Sequence, residues 1–457
     1  MIEKIKNDII LQNIIKYSKD ENIYLVGGCV RDFLLGKQNF DKDIIVDCSN
    51  VRDYAARLSQ NLDATFIVLD DENKIYRLVL KDKVNYIDIA GIIGTCLEDD
   101  LKRRDFTINS IAVDLRTMKI VDINNGIDDL KSKIIRGIED KNFYDDSLRL
   151  LRAFRFRATL GFKIDNHLMD IINNNYSLLD NIAIERINSE LQKLFEGTYT
   201  SEALLEMGKL VEYLFPVMVD VKKVPKNSHH HLPLYYHSIE TVKQIQNLYM
   251  KESEEVKNIL KPRLGLLKLS AFLHDIGKPK TWTIEEDTGR HRFIKHDEVG
   301  SNIVKNTLKS LNFSKKQIDY VSEMIKNHIY PSQVISSQGD RQKTYMRCIR
   351  KLDEHVVDVV MLAKADRLSA RGPEITDEIV NSNIAGLDDL KSYYLSIKDR
   401  LVPLPILLDG HEIMDIFKLK PSPELGKIVK ALKEAQLNGD VNTKSEAISY
   451  VSSILTL

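Results

Sequence analysis

The sequence predicts an α+β protein, with an α/β unit near the N-terminus followed by a helical remainder. Three observations carry that expectation. Short runs, "IYLVGG", "FDKDIIVDC", "ATFIVLD", "YRLVLK" and "VNYIDIAG", are β-branched or alternating and crowd residues 22 to about 140, with helical stretches such as Val51–Asn61 between them. From about residue 141 onward the pattern is almost entirely helical. At 457 residues the chain exceeds one ordinary core, so roughly two to four domains are expected.

Breaks in the helical region set the boundaries. "FPVMVDVKKVPKNSHHHLPLYY" (Phe215–Tyr236) is rich in Pro, Lys and His and reads as a linker, and proline interrupts helices again in "RLVPLPILLDGHE" (Arg400–Glu412). The expected organisation is an α/β head over 1–140, a helical neck over 141–215, an all-helical domain over 216–398 and a helical tail over 399–457. A formal net charge of −1 with 29% charged residues excludes a globally basic nucleic-acid binder but permits a local basic groove. Four cysteines without paired spacing (Cys29, Cys48, Cys96, Cys348) argue against a disulfide frame or a structural zinc. No stretch is apolar enough for a membrane span, and the first residues alternate charge with aliphatics, unlike a signal peptide. A cytoplasmic protein with no membrane partner is expected.

"YLVGGCVRDFLLG" puts Gly27 and Gly28 between a strand and a helix, where backbone N–H groups can approach an anion and Arg31 can neutralise phosphate. A glycine pair alone is more often just a tight turn. In "FDKDIIV", Asp41 and Asp43 are two residues apart on a strand, so their carboxylates share a face. Two converging carboxylates repel unless a cation sits between them, and Mg²⁺ suits hard oxygen ligands with phosphate co-ligands. Asp88 in "YIDIA" either completes the cluster or is a solvated strand residue. In "EDDLKRRDFTINSIA", Arg103 and Arg104 are positioned to grip phosphate or ribose, and Asp105 and Asn109 share a helical face, although Asp105 equally suits an N-cap. "YDDSLRLLRAFRFR" (Tyr144–Arg157) reads as one helix with Asp145, Asp146 and Arg149 as neighbours, and Leu148, Leu151 and Phe154 on the packed stripe.

Taken in order, "GGCVRD", "DKD", "RRDFTINSIA", "DDSLRLLRAFRF" and "IERINSELQKL" resemble the motif series of class II tRNA nucleotidyltransferases (CCA-adding enzymes) and the related bacterial poly(A) polymerases. The resemblance covers residues 22 to about 197 and continues more weakly through "LDGHEIMDIFKLKPSPELGKIVKAL". It implies a polymerase-beta-like nucleotidyltransferase head, with tRNA, CTP and ATP as partners. Asp41 and Asp43 would hold two Mg²⁺ ions for attack of the RNA 3′-OH on the α-phosphate with release of pyrophosphate. Gly27, Gly28 and Arg31 would cradle the triphosphate, and Arg104, Asp105, Asn109 and Arg152 would engage the nucleotide. Asp146 can accept from the exocyclic amine of cytosine or adenine and Arg149 can donate to the ring acceptors, a protein template for C and A. Arg152, Arg155 and Arg157 are candidates for an RNA-binding stripe, with a solvated basic face as the equal alternative.

In the second half, "YYHSIETV", "FLHDIGKPK", "IKHDEVG", "IKNHIY" and "KADRLSAR" contribute His237, His274, Asp275, His296, His328 and Asp366. This order resembles the HD phosphohydrolase superfamily. Imidazole and carboxylate ligands suit a divalent transition metal, with Mg²⁺ as an alternative. Fused to such a head, the domain is expected to repair RNA 3′ ends by removing cyclic phosphates. The triplet His229–His231 is assigned to the linker rather than to the cage.

Two departures bear on activity. Only "IAGIIGTCL" separates Asp88 from the next motif, where full CCA-adding enzymes carry a longer loop, and this resembles the deletion in CC-adding enzymes. Asp145 also stands where the family's usual residue is Glu. CCA addition is the leading expectation. CC-only or A-only addition and poly(A) synthesis are close alternatives, the last disfavoured by the absence of a basic tail. A stand-alone HD hydrolase and a non-catalytic RNA-binding protein are the alternatives of another class.

Overall fold

The computed structural model describes residues 1–37, 41–401 and 405–455. Phe40 of the second predicted strand and Val402–Leu404 of the proline break lie outside the described residues. The described chain divides into two compact units, Met1–Pro216 and Val217–Leu457.

The first unit is built on seven strands: β1 (Asn22–Val26), β2 (Asp41–Asp47), β3 (Thr65–Asp70), β4 (Ile75–Val79), β5 (Tyr86–Gly91), β6 (Ala112–Asp114) and β7 (Ile120–Val121). They lie in the order β3-β4-β5-β2-β1-β6-β7. Within this sheet only the β2–β5 pair is parallel, and its register sets Asp43 opposite Asp88; Ile134–Ile135 and Lys163–Ile164 form a separate parallel pair. The alternation of β2 buries Lys42, Ile44 and Val46 on one face and turns Asp41 and Asp43 to the other. Lys42 is 2% exposed, and its charge is met by Asp8 at 3.3 Å from the helix Ile9–Tyr17, which Asp8 also caps.

The sheet leads into helices whose apolar faces form the rest of the core. Leu148–Leu160 buries Leu150, Leu151, Ala153 and Phe154, and it packs on Ile184–Glu196 through Ile187, Leu191 and Leu194. The predicted single helix over Tyr144–Arg157 is instead two. Lys141–Asp145 ends at Asp146, which takes extended dihedrals (φ −142°, ψ 92°), and Leu148 begins the next helix. Asp146 and Arg149 therefore meet across a helix start rather than along one helix.

The second unit is helical, with one exception to the all-helical expectation. Trp282–Ile284 and His291–Phe293 pair as an antiparallel hairpin. Each arm has only three residues, too few for a visible period. The helices Gly410–Phe417, Pro423–Asn438 and Lys444–Leu455 share a small core of Ile413, Ile428, Leu432, Ala447 and Val451.

Candidate functional site

In the first unit, one cleft of about 730 Å³ collects the residues of the five motifs. Gly27, Gly28, Arg31, Asp41, Asp43, Arg104, Asp105, Asn109, Asp146, Arg149 and Arg152 all line it. Gly27 sits at φ +70°, and a Cβ there would lie 3.1 Å from Arg104 Nη1 and 3.2 Å from Asp43 Oδ2. Glycine thus keeps the strand-to-helix turn open directly over the carboxylates.

The carboxylates are held in a cationic frame. Burial, together with Asp88 and Asp41, pushes the Asp43 carboxyl up to about 6 against the pull of Arg104 and Arg31. A group so placed favours a cation as neighbour, so the donor set fits a divalent ion. Asp88 is not free to join them without rearrangement, because Arg77 donates to both its oxygens at 2.7 Å. Arg31 donates to Asp32 and, at 2.7 Å, to Asn109 Oδ1. Arg104 donates to Asp100 and to the Asn109 carbonyl, and Asp100 is shared with Arg103.

Asp105 is not an N-cap of the turn that follows. Its side chain accepts from the Phe106 amide, Asn109 Nδ2 and the Arg152 guanidinium, the last at 2.7 Å. Burial alone would raise its carboxyl, but Arg152, Asn109 and the amide more than offset that and hold it low. Arg152 therefore faces the cleft already paired, to Asp105 and to Glu190 at 3.4 Å. The guanidiniums of Arg31, Arg152 and Arg155 lie 5.1, 5.6 and 3.9 Å from the Phe156 ring.

Arg155 and Arg157 present neither an RNA-facing stripe nor a solvated basic face. Arg155 pairs with Glu190 and is mostly buried, and Arg157 is 9% exposed and bidentate to Glu206 at 2.8 and 2.9 Å. These arginines of one helix face the unit's own acids, which helical spacing alone does not reveal. Arg149 donates to the Asn142 carbonyl at 3.0 Å, and Asp146 accepts from Arg186 at 2.9 Å. Arg186 and Glu190 lie in "IERINSELQKL", where sequence alone indicates no role for either. Only the packing of their helix against Leu148–Leu160 shows one. Asp145 is exposed and does not line the cleft.

In the second unit, five elements converge on a buried cage. His237 comes from the helix Leu234–Lys251, His274 and Asp275 follow Leu264–Leu273, His296 opens His296–Ser310, His328 follows Lys315–Asn327, and Asp366 lies on Val356–Ser369. His237 Nε2 stands 3.1 Å from Asp366 and 3.3 Å from His274 Nε2, and His296 Nε2 stands 3.3 Å from both Asp275 Oδ1 and His328 Nε2. His274, His296 and His328 each direct Nδ1 at a backbone carbonyl (Ala271, Phe293, Ile325), which leaves Nε2 as the lone-pair donor facing inward. Both oxygens of Asp275 are buried and face cationic or imidazole groups, Oδ2 at 2.6 Å from Lys278 Nζ and 3.1 Å from His274 Nε2, Oδ1 at 3.3 Å from His296 Nε2. Asp275 and Asp366 hold the His274 ring up to about 10 although burial opposes it, whereas burial and the neighbouring rings push His328 down to about 4. The same field that would keep a proton on His274 would hold a divalent cation, and this buried cluster of imidazole and carboxylate donors fits one. Two overlapping donor groups can be drawn, His237/His274/Asp366 and His274/Asp275/His328. Gly277 permits the closure, since a Cβ there would meet the His296 carbonyl at 2.0 Å.

The triplet assigned to the linker is in fact docked beside this cage. Gly372 N donates to the His229 carbonyl and Glu374 N to that of Ser228. His230 packs on His237 with ring centroids 4.3 Å apart, and its Nε2 is 3.2 Å from Lys278 Nζ. No spacing rule in the sequence marks this contact.

Residues 23–136 match the Poly A polymerase head domain, 161–221 the probable RNA and SrmB-binding site of polymerase A, and 234–371 the HD domain. A CC-adding tRNA nucleotidyltransferase of Thermus thermophilus is 29% identical over 94% of this chain and 93% of its own length. An A-adding tRNA nucleotidyltransferase of Deinococcus radiodurans is 28% identical over 93% and 94%. A CCA-adding enzyme of Latilactobacillus sakei is 38% identical, but over only 38% of this chain and 46% of its own. Among solved structures, a CCA-adding enzyme with ATP superposes with a TM-score of 0.58 at 21% identity, covering 99% of this chain and 96% of that one, a likeness of fold. Two domain matches in order, with relatives aligned over nearly their whole length, place the chain among the tRNA nucleotidyltransferases that carry an HD domain, a family of enzymes.

Proposed function

We propose that the chain adds C and A to tRNA 3′ ends, using CTP and ATP and releasing pyrophosphate. The observation that carries this reading is that Asp41 and Asp43 line the same cleft as Asp146 and Arg149. Mg²⁺ ions held by Asp41 and Asp43 would supply Lewis acidity at the reacting phosphate. The open turn at Gly27–Gly28 admits the triphosphate, with Arg31 and Arg104 at hand to balance its charge. Asp105 and Asn109 face the sugar, and Arg152, paired to Asp105, positions that carboxylate. Asp146 accepts from the amine of the incoming base and Arg149 donates to its ring, so guanine and uracil, which invert the pattern, are refused. Catalysis on this account is positioning and charge stabilisation.

A second reading, addition of CC alone, draws on the five-residue connection Ile92–Cys96 between β5 and the helix Leu97–Lys102, and on the Thermus relative. Incubation of tRNA lacking its CCA end with CTP, with ATP, and with both separates the two. Growth by three nucleotides when both are present establishes CCA addition, and arrest after CC establishes the short-loop reading. Failure to incorporate either nucleotide overturns both. The cage of the second unit, with a divalent transition metal or Mg²⁺, is assigned to hydrolysis of phosphate esters that block RNA 3′ ends.

A further inference from the structure

We infer that the hairpin beside the HD cage builds a phosphate-end subsite, a cleft that seats the terminal phosphate of a nucleotide or RNA strand next to the metal ligands. The inference rests on the phosphohydrolase reading of the cage and specifies where its substrate lies. A cleft of about 390 Å³ opens beside His296, one of the cage residues, and is lined on its other sides by His230, Lys278, Arg290, His291, Arg292 and Phe293. No carboxylate lines it. Three acids pair with lining residues from outside the cleft: Asp275, 2.6 Å from Lys278 Nζ, Glu285, paired with Arg292, and Glu374, 3.7 Å from His229 Nδ1.

The polarity of the wall follows from this arrangement. Lys278 is 6% exposed, and its ammonium lies between Asp275 and His230, which ties the cleft to the cage by one buried cation. Since Lys278 donates to His230 Nε2, the ring proton of His230 resides on Nδ1. His230 Nδ1 and His291 Nδ1 are both buried without a hydrogen-bond partner among the described residues, a condition that a water or ligand oxygen relieves. Phe293, 5.4 Å from Lys278 Nζ, supplies an apolar surface for a sugar or base. Cations without lining acids, spare imidazole nitrogens and one aromatic face together suit a nucleoside phosphate rather than a neutral nucleoside.

The test is calorimetric titration of the full chain with adenosine 3′-phosphate and with adenosine, in EDTA so that no cage metal contributes. Arg290 and Arg292 are exposed, so the Arg290→Ala/Arg292→Ala variant keeps the fold even where Lys278→Ala does not. The double variant is expected to weaken adenosine 3′-phosphate binding at least tenfold while leaving adenosine within twofold. In a metal-loaded phosphatase assay it should raise KM with kcat little changed. Unchanged phosphate binding in the double variant overturns the subsite. Intact phosphate binding in a wild-type chain that hydrolyses nothing overturns the phosphohydrolase reading instead and leaves the subsite standing.

Discussion

Asp43 is the residue whose chemistry is most exposed to test, because burial and two neighbouring carboxylates push its carboxyl up to about 6. A metal ion binds the ionised form, so below that value each binding event must displace a proton. Affinity of the metal-free chain for Mg²⁺ should thus fall as pH drops through about 6, by up to roughly tenfold per pH unit for one proton. Above about 6 it should be level, and Asp43→Asn should abolish the dependence along with tight binding. Titrations at several pH values check this, and a flat profile in the wild-type chain would sink it. At this scale the sequence was informative wherever a period of two or a short motif fixes direction. Two aspartates two positions apart on a strand must share a face, so Asp41 and Asp43 were readable. That Arg77 occupies Asp88 was not, because it requires the β4–β5 pairing. That His230 touches His237 was hidden too, since one precedes the helix Leu234–Lys251 and the other lies within it.

At the scale of elements, the helix Ile184–Glu196 does more than pack. Glu190, with a side chain 5% exposed, is the acid that answers both Arg152 and Arg155. Arg155 is already pushed down to about 10 by burial, with Glu190 its largest opposing influence. Glu190→Ala should strand buried positive charge beside Phe156 and cost about 3 kcal/mol of stability, the usual penalty for breaking one side of a buried pair. Glu190→Gln, which keeps the shape, should cost less. Urea denaturation measures both, and an unchanged midpoint for Glu190→Ala would show that solvent already carries these charges. The element boundaries explain why the row of arginines misled. Apolar spacing in "LRLLRAFRFR" locates the buried stripe correctly, but it says nothing of which neighbour carries the acids. The break at Asp146 has a local cause, visible only in the dihedrals: its extended backbone ends one helix and lets its side chain meet Arg186.

Across the whole molecule, two compact units each carry a complete set of donors: the cleft in Met1–Pro216 and the cage in Val217–Leu457. The α/β-then-helical order was legible because the hydrophobic period changes from two to helical near residue 141, a signal spread over many residues. The hairpin Trp282–Phe293 was not, since three-residue arms carry no period. Since no side chain of either donor set belongs to the other unit, the two chemistries should be separable by substitution. Asp275→Asn keeps the volume of a buried side chain but removes a charge on which His274, His296 and Lys278 converge. It should lower phosphohydrolase activity about 10³-fold, on the order of 4 kcal/mol of lost stabilisation, and leave nucleotide addition to tRNA within about twofold. Asp41→Asn should do the reverse. Both activities are to be measured on the same preparations, with thermal unfolding as a control for folding. If Asp275→Asn lowered both activities in a folded chain, the cage would be serving nucleotide addition, and the assignment of one reaction to each unit would fail.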